Sequence, residues 1–285
     1  MTFMAALLEK TKRELIVATC QFPVSADIKR NEHYIQKLLA EAKAKDAEIA
    51  HFSECCLSGY AGIDFQSFRN LDEHFLRCAL DGIIRFSEKH RIGIIVGSHH
   101  FEKNNKKPYN CLWLINDGGI VVDRYDKRFL TGKPGKQDHL YYRPGYKTAQ
   151  FQIKGISCGM LICHEWRYPE LYRAYKRQGV EIIFQSWYDG RLSPSEFREE
   201  GKELGSLITG TVRGNAANNY LWISASNTSQ RESSFASFVV RPDGRIAHRL
   251  KRNVTGVLIS KIHFDTSYSD PSGQLRDRAY FRNRS

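Results

Sequence analysis

Residues 148–185 read TAQFQIKGISCGMLICHEWRYPELYRAYKRQGVEIIFQ. Two short apolar-rich runs, Thr148–Ile153 and Ile156–Cys163, flank Lys154-Gly155 and read as a hairpin. Proline suits the first turn of a helix, where its missing N–H leaves no bond unmade, so Pro169–Gln178 reads as a helix. Gly179 supplies its C-terminal stop, and Val180–Gln185 is again a strand. A hairpin joined to a strand–helix unit indicates an α/β protein with a mixed sheet.

The pattern extends in both directions. Upstream, Leu15–Cys20, Glu48–Ser53 and Ile92–Ser98 read as strands, and Asn110–Asn116 with Ile120–Tyr125 as a hairpin around Asp117-Gly118-Gly119. Asn31–Lys45 carries Tyr34, Ile35, Leu38, Leu39 and Ala42 at helical spacing, and Leu71–His90 is a second helix. Downstream come a mostly helical Ser195–Asn218, a strand Tyr220–Ser226, a hairpin Phe235–Arg241 and Ile246–Leu250, and a last strand Val254–Ile262. About a dozen strands are too many for one open sheet, so two packed sheets with helices outside are expected. With no repeat or linker in the sequence, residues 1–262 read as a single domain. Residues 263–285 read as a polar, basic tail that could sit at a subunit interface.

A chain of 285 residues buries about 74% of its unfolded surface, enough for a core without staples. No apolar run approaches the length of a membrane span, and MTFMAALLEKTKRE is too short in its apolar part for a secretory leader. The net charge is +12, but the basic residues are dispersed over small clusters such as Lys103/Lys106/Lys107, Arg173/Lys176/Arg177 and Arg276/Arg278/Arg282/Arg284. No nucleic-acid motif accompanies them, so a solvated basic surface is expected, with an anionic substrate as the sharper alternative. Lys133, Lys136 and Arg143 are its candidate contacts. Seven scattered cysteines without a CxxC point to free thiols in a reducing, cytoplasmic setting and to no metal.

Three reactive side chains stand where strands end, the edge at which α/β sheets bind ligands: Glu54, Lys127 and Cys163. Cys163 precedes the helix opened by Pro169, whose N-terminus is expected to lower the thiol pKa. A thiol needs a base, which a carboxylate raised by burial can provide. A lysine ammonium can hold the oxyanion formed when sulfur attacks a carbonyl or nitrile carbon.

The order of motifs is similar to that of the nitrilase (carbon-nitrogen hydrolase) superfamily across residues 14–262. Ala50–Glu54 with Leu57-Ser58-Gly59-Tyr60 resembles the family's glutamate motif, Tyr125–Leu130 its lysine motif, and Gly159–Glu170 its cysteine motif. Arg213, Tyr220, Asn227, Ser237 and Pro242-Asp243-Gly244 resemble its downstream signatures. The resemblance implies an αββα sandwich, usually assembled as a homodimer or higher oligomer, with no cofactor. It implies Glu54 as general base, Lys127 as oxyanion stabiliser and Cys163 as nucleophile, with the His164 backbone N–H adding to the oxyanion hole. Tyr60, His164 and Trp187 become candidate substrate-binding residues. The family's second glutamate is matched by Asp138, six residues before Pro144-Gly145 and one methylene shorter. Ser53 stands where the family has proline, Ala216 where it has an acid, and His164-Glu165-Trp166 where Tyr-Asp is commoner. The implied activity is hydrolysis of a non-peptide C–N bond in an amide or N-carbamoyl compound, before a nitrile, through a cysteine thioester. The alternatives are an N-acyltransferase of the same fold and a non-catalytic binding protein.

Overall fold

The structure, a computed structural model, describes residues 13–103 and 105–281. Most of the N-terminal segment, and Arg282 and Arg284 of the basic tail, lie outside them. The first sheet holds β1 (Glu14–Gln21), β2 (Ile49–His51), β3 (Gly93–His100), β4 (Tyr109–Ile115), β5 (Val121–Asp126) and β12 (Gly256–His263). Its order is β12-β1-β2-β3-β4-β5. The second holds β6 (Gln150–Ile153), β7 (Ile156–Ile162), β8 (Ile182–Ser186), β9 (Trp222–Ser226), β10 (Phe238–Val240) and β11 (Ile246–Arg249) in reverse order, β11 to β6. In each sheet a parallel centre is flanked by antiparallel strands.

Alternation along the strands builds the layers. In β1, Leu15 and Val17 join the core cluster between the sheets, while Ala18 and Cys20 join the cluster beneath the helices. Ile95 faces inward, and its neighbours Ile94 and Val96 face outward. Both faces are buried, which is why these strands read as unbroken apolar runs. The first sheet is covered by α1 (Ile28–Lys43) and α2 (Glu73–His90), whose buried stripes include Ile35, Leu38 and Leu39, and Leu76 and Ile83. Both helices start at an aspartate cap: Asp27 accepts from the Arg30 N–H and Asp72 from the Phe75 N–H. A one-turn helix α3 (Asp138–Tyr141) and α4 (Pro169–Arg177) follow. The second sheet is covered by α4 and by α6 (Lys202–Asn219), which a short α5 (Pro194–Glu196) and a π turn (Phe197–Gly201) precede.

Polar groups also cross the inter-sheet layer. His51 on β2 bonds Ser224 through Nδ1 and Ser186 through Nε2, both at 2.9 Å, and Thr19 meets Ser224 at 2.8 Å. Within the polar tail, Gly273–Phe281 forms helix α7. Arg276 of this helix pairs with Asp270 and donates to the Asn218 carbonyl. A helix docked by such contacts has no apolar stripe for periodicity to find.

Candidate active site

β2 and β3 run parallel, β3 and β4 antiparallel, and β4 and β5 antiparallel, so β2 and β5 end on the same side. Glu54 follows β2 and Lys127 follows β5, and the two are therefore delivered to one edge. The turn carrying Glu54 lies flat against β3, where Gly97 makes room. A Cβ at residue 97 would stand 2.4 Å from the Ser53 carbonyl oxygen and 2.5 Å from the Cys55 nitrogen. Pro144-Gly145 seats the lysine in a similar way, with the Gly145 N–H donating to the Lys127 carbonyl at 2.8 Å.

Lys127 is fully buried, and its ammonium bridges two acids at 2.8 Å, Glu54 Oε1 and Asp138 Oδ2. Thr131 Oγ1 at 3.1 Å and the Tyr60 hydroxyl at 3.3 Å complete its shell. Asp138 reaches Lys127 directly, despite its shorter side chain. It also accepts from the Tyr60 hydroxyl at 2.7 Å and the Thr131 N–H at 2.9 Å. Glu54 Oε1 takes a second bond from Asn110 Nδ2 at 2.7 Å, whereas Oε2 is buried without a hydrogen-bond partner. Burial pushes Glu54 up, against the pull of Lys127 and with the Asp138 charge adding to the rise. Burial draws Lys127 down, but the Asp138 and Glu54 carboxylates outweigh it and hold the ammonium well above its ordinary range. For Asp138, Lys127 overcomes burial and lowers the carboxyl.

Cys163 is half-buried and opens a 3-10 turn, Cys163–Arg167, with φ +39°. A non-glycine residue held in that region stores backbone strain, which folds tend to keep at sites of chemistry. Its sulfur accepts from the Tyr188 N–H and lies in the field of Glu54, Lys127 and Asp138. The structure corrects the expected thiol pKa. Burial and the Glu54 charge raise it well above the ordinary value, and Lys127 offsets only part of the rise. The helix opened by Pro169 starts six residues on, beyond the 3-10 turn, and does not reverse that sign.

Of the remaining candidates, Tyr60 is brought in through its hydroxyl and a cation–π contact to Lys127. His164 sits beside the thiol, half-buried and lowered to about 4 by burial and the Lys127 and Arg167 charges, so its imidazole is neutral near pH 7. Trp187 offers its backbone, accepting from the Glu54 N–H at 3.2 Å, while its ring packs edge-on against Phe235 in the core. Tyr188 turns its ring to Tyr60 instead, at 4.9 Å. Arg143 is engaged elsewhere, stacked over Tyr109 and paired with Glu102.

One residue that sequence reasoning left without a role is Glu165. Its buried carboxylate accepts from the Tyr125 hydroxyl and the N–H groups of Ile162, Arg128 and Phe129. It thereby ties the cysteine turn to the lysine segment across the two sheets. The available signal was an acid two places after the cysteine, flanked by apolar residues. A cleft of about 530 Å³ at the opposite end, lined by residues such as Glu48, Ile49 and Lys154, holds none of these groups.

The fold has close counterparts among solved structures. An amidase from the nitrilase superfamily of Nesterenkonia AN1 matches with a TM-score of 0.76 over 94% of this chain and 95% of that one, at 17% identity. The class is therefore that of the αββα sandwiches. Residues 16–271 match the carbon-nitrogen hydrolase family, and the chain belongs to it, as an amidase-like hydrolase. It is 27% identical to an N-carbamoylputrescine amidase of Arabidopsis thaliana over 290 residues, 95% of this chain and 94% of that protein. It is also 27% identical to a 2-oxoglutaramate amidase of Bacillus subtilis over 162 residues, 57% of this chain and 58% of the other.

Proposed function

We propose that the protein hydrolyses the C–N bond of an amide or N-carbamoyl compound through a thioester on Cys163. The observation that carries this is the division of Glu54: Oε1 is held by Lys127 and Asn110, Oε2 is left without a hydrogen-bond partner, and the Glu54 charge acts on the thiol. The raised thiol and raised carboxyl suit a coupled transfer, in which Glu54 takes the proton as sulfur bonds to carbon. The carbonyl oxygen becomes an oxyanion held by the Lys127 ammonium and the His164 backbone N–H. Glu54 returns the proton to the leaving nitrogen, the C–N bond breaks, and ammonia or an amine departs. Glu54 then takes a proton from water, the hydroxide adds to the thioester, the C–S bond breaks to release the acid, and Glu54 returns its proton to the departing sulfur, restoring the thiol. Asp138 is a positioning residue, holding the ammonium at 2.8 Å as Glu54 does.

Residues 1–262 form the hydrolase domain in this reading, in a homodimer or larger homo-oligomer. All seven cysteines are free thiols, which supports a reducing, cytoplasmic setting. No helix among the described residues is long and apolar enough to cross a membrane. The test is ammonia release across amides, N-carbamoyl compounds and nitriles, with each cysteine changed to alanine in turn. Cys163→Ala is expected to abolish turnover, and intact-mass analysis of the wild type during turnover to show an acyl adduct. Retention of even a tenth of the activity in Cys163→Ala would remove the nucleophile from this account.

A further inference from the structure

Three residues beyond the Tyr188 N–H that meets the thiol comes Arg191, joined to Tyr60 and Tyr188 through Asp64. Its guanidinium bonds Asp64 at 2.7 Å, and the two ends of this pair differ: the Asp64 side chain is 0% exposed and that of Arg191 37%. Asp64 also accepts from the Tyr60 N–H at 2.7 Å and the Tyr188 hydroxyl at 2.9 Å. Both of its oxygens are committed to the protein. Arg191 has five N–H donors in a fixed fork, so donors remain on its exposed side.

The segment around it is pinned at both ends. Asp189 accepts from the Ser234 N–H and hydroxyl at 2.6 Å, and Leu192 exchanges backbone bonds with Glu232 at 3.0 and 3.3 Å. Arg191 itself is held at φ +64°, a conformation that side-chain-bearing residues rarely adopt. The nearby acids are bonded within the protein: Glu54 and Asp138 to Lys127, Asp64 to Arg191 and Asp189 to Ser234.

We propose that Arg191 selects the far end of the substrate, which is a short amide or N-carbamoyl compound bearing a carboxylate. This rests on the amidase reading above. The anchored guanidinium presents its free edge to the carboxylate, as a two-pronged donor, while the scissile carbon lies at Cys163.

Binding is measured apart from turnover, by calorimetry on the Cys163→Ala protein with succinamate, its methyl ester and 4-aminobutanamide. Succinamate is expected to bind at least ~10-fold more tightly than the ester at low salt. Adding Arg191→Ala should erase that preference, and Arg191→Lys, which keeps a charge on the Asp64 anchor, should restore part of it. Equal affinity for acid and ester, tighter binding of the amine, no binding of the acid, or an acid preference that survives Arg191→Ala would each overturn the assignment. Ammonia release by the wild-type protein from butanamide reports the hydrolase reading separately, so the two can fail independently.

Discussion

Glu54 and Asp138 are two carboxylates on one ammonium, and the structure gives them opposite tendencies. Glu54 is raised chiefly by burial, with Asp138 adding to the rise, and Asp138 is lowered by Lys127. If Glu54 is the base, kcat/KM falls as pH drops through its raised pKa, so the acid limb lies above the ordinary carboxylate value of about 4.3. Asp138→Asn removes a like charge and lowers Glu54, which moves that limb to lower pH. It also frees Lys127 on one side, and kcat should fall at least ~10-fold, because a misplacement of about 1 Å can cost ~100-fold. Asp138→Glu is expected to be tolerated poorly, since Asp138 already meets Lys127 at 2.8 Å. Normal kinetics and an unmoved profile for Asp138→Asn would reduce Asp138 to a packing residue.

At the scale of elements, the site is a junction of strand ends held by a few backbone seats. Glu165 bonds the lysine segment after β5 and the end of β7 with one carboxylate. Removing it in Glu165→Ala strands buried N–H donors and the Tyr125 hydroxyl, a loss of about 3 kcal/mol. Denaturant unfolding should register that loss, and kcat should fall more than KM rises, because the nucleophile and the ammonium lose their common reference. A drop in stability with kcat unchanged would leave Glu165 a purely structural acid. The seat at Gly97 belongs to the same scale. Gly97→Ala must push back the Ser53–Cys55 backbone, and Glu54 with it. Activity should therefore fall further than stability, and equal losses in both would contradict that.

For the molecule as a whole, the inter-sheet layer carries a titratable pin. Burial lowers His51 to about 3 from an ordinary value near 6.5, so the native state holds it neutral while the unfolded chain protonates it. Its contribution to stability is complete above about pH 6.5 and is lost as pH falls toward 3, at up to about 1.4 kcal/mol per pH unit. His99 is lowered to about 3 for the same reason and acts in the same direction. Glu54 and Glu165, raised by burial, act in the opposite sense, so the informative quantity is the difference between wild type and His51→Gln. Denaturation from pH 7 to 4 should show a shallower acid loss in His51→Gln by close to one proton, and parallel curves would contradict the pin.

The patterning of apolar runs, glycine turns and helix punctuation determined the layers and nearly every element, since buried strands and amphipathic helices must carry those periods to bury their faces. The motif order named Glu54, Lys127 and Cys163, because each follows a strand whose end is visible in the sequence. Residue spacing did not bring them together; the parallel and antiparallel pairing of the first sheet set Glu54 beside Lys127, and the stacking of the second sheet supplied Cys163. The helix in the tail escaped periodicity because polar bonds dock it. The sign of the Cys163 shift is not legible in the sequence, because burial is a property of the assembled sheets. Asp64 and Arg191, 127 positions apart in the chain, were likewise made partners by tertiary structure alone, because charge in a sequence carries no direction until packing buries one partner and exposes the other.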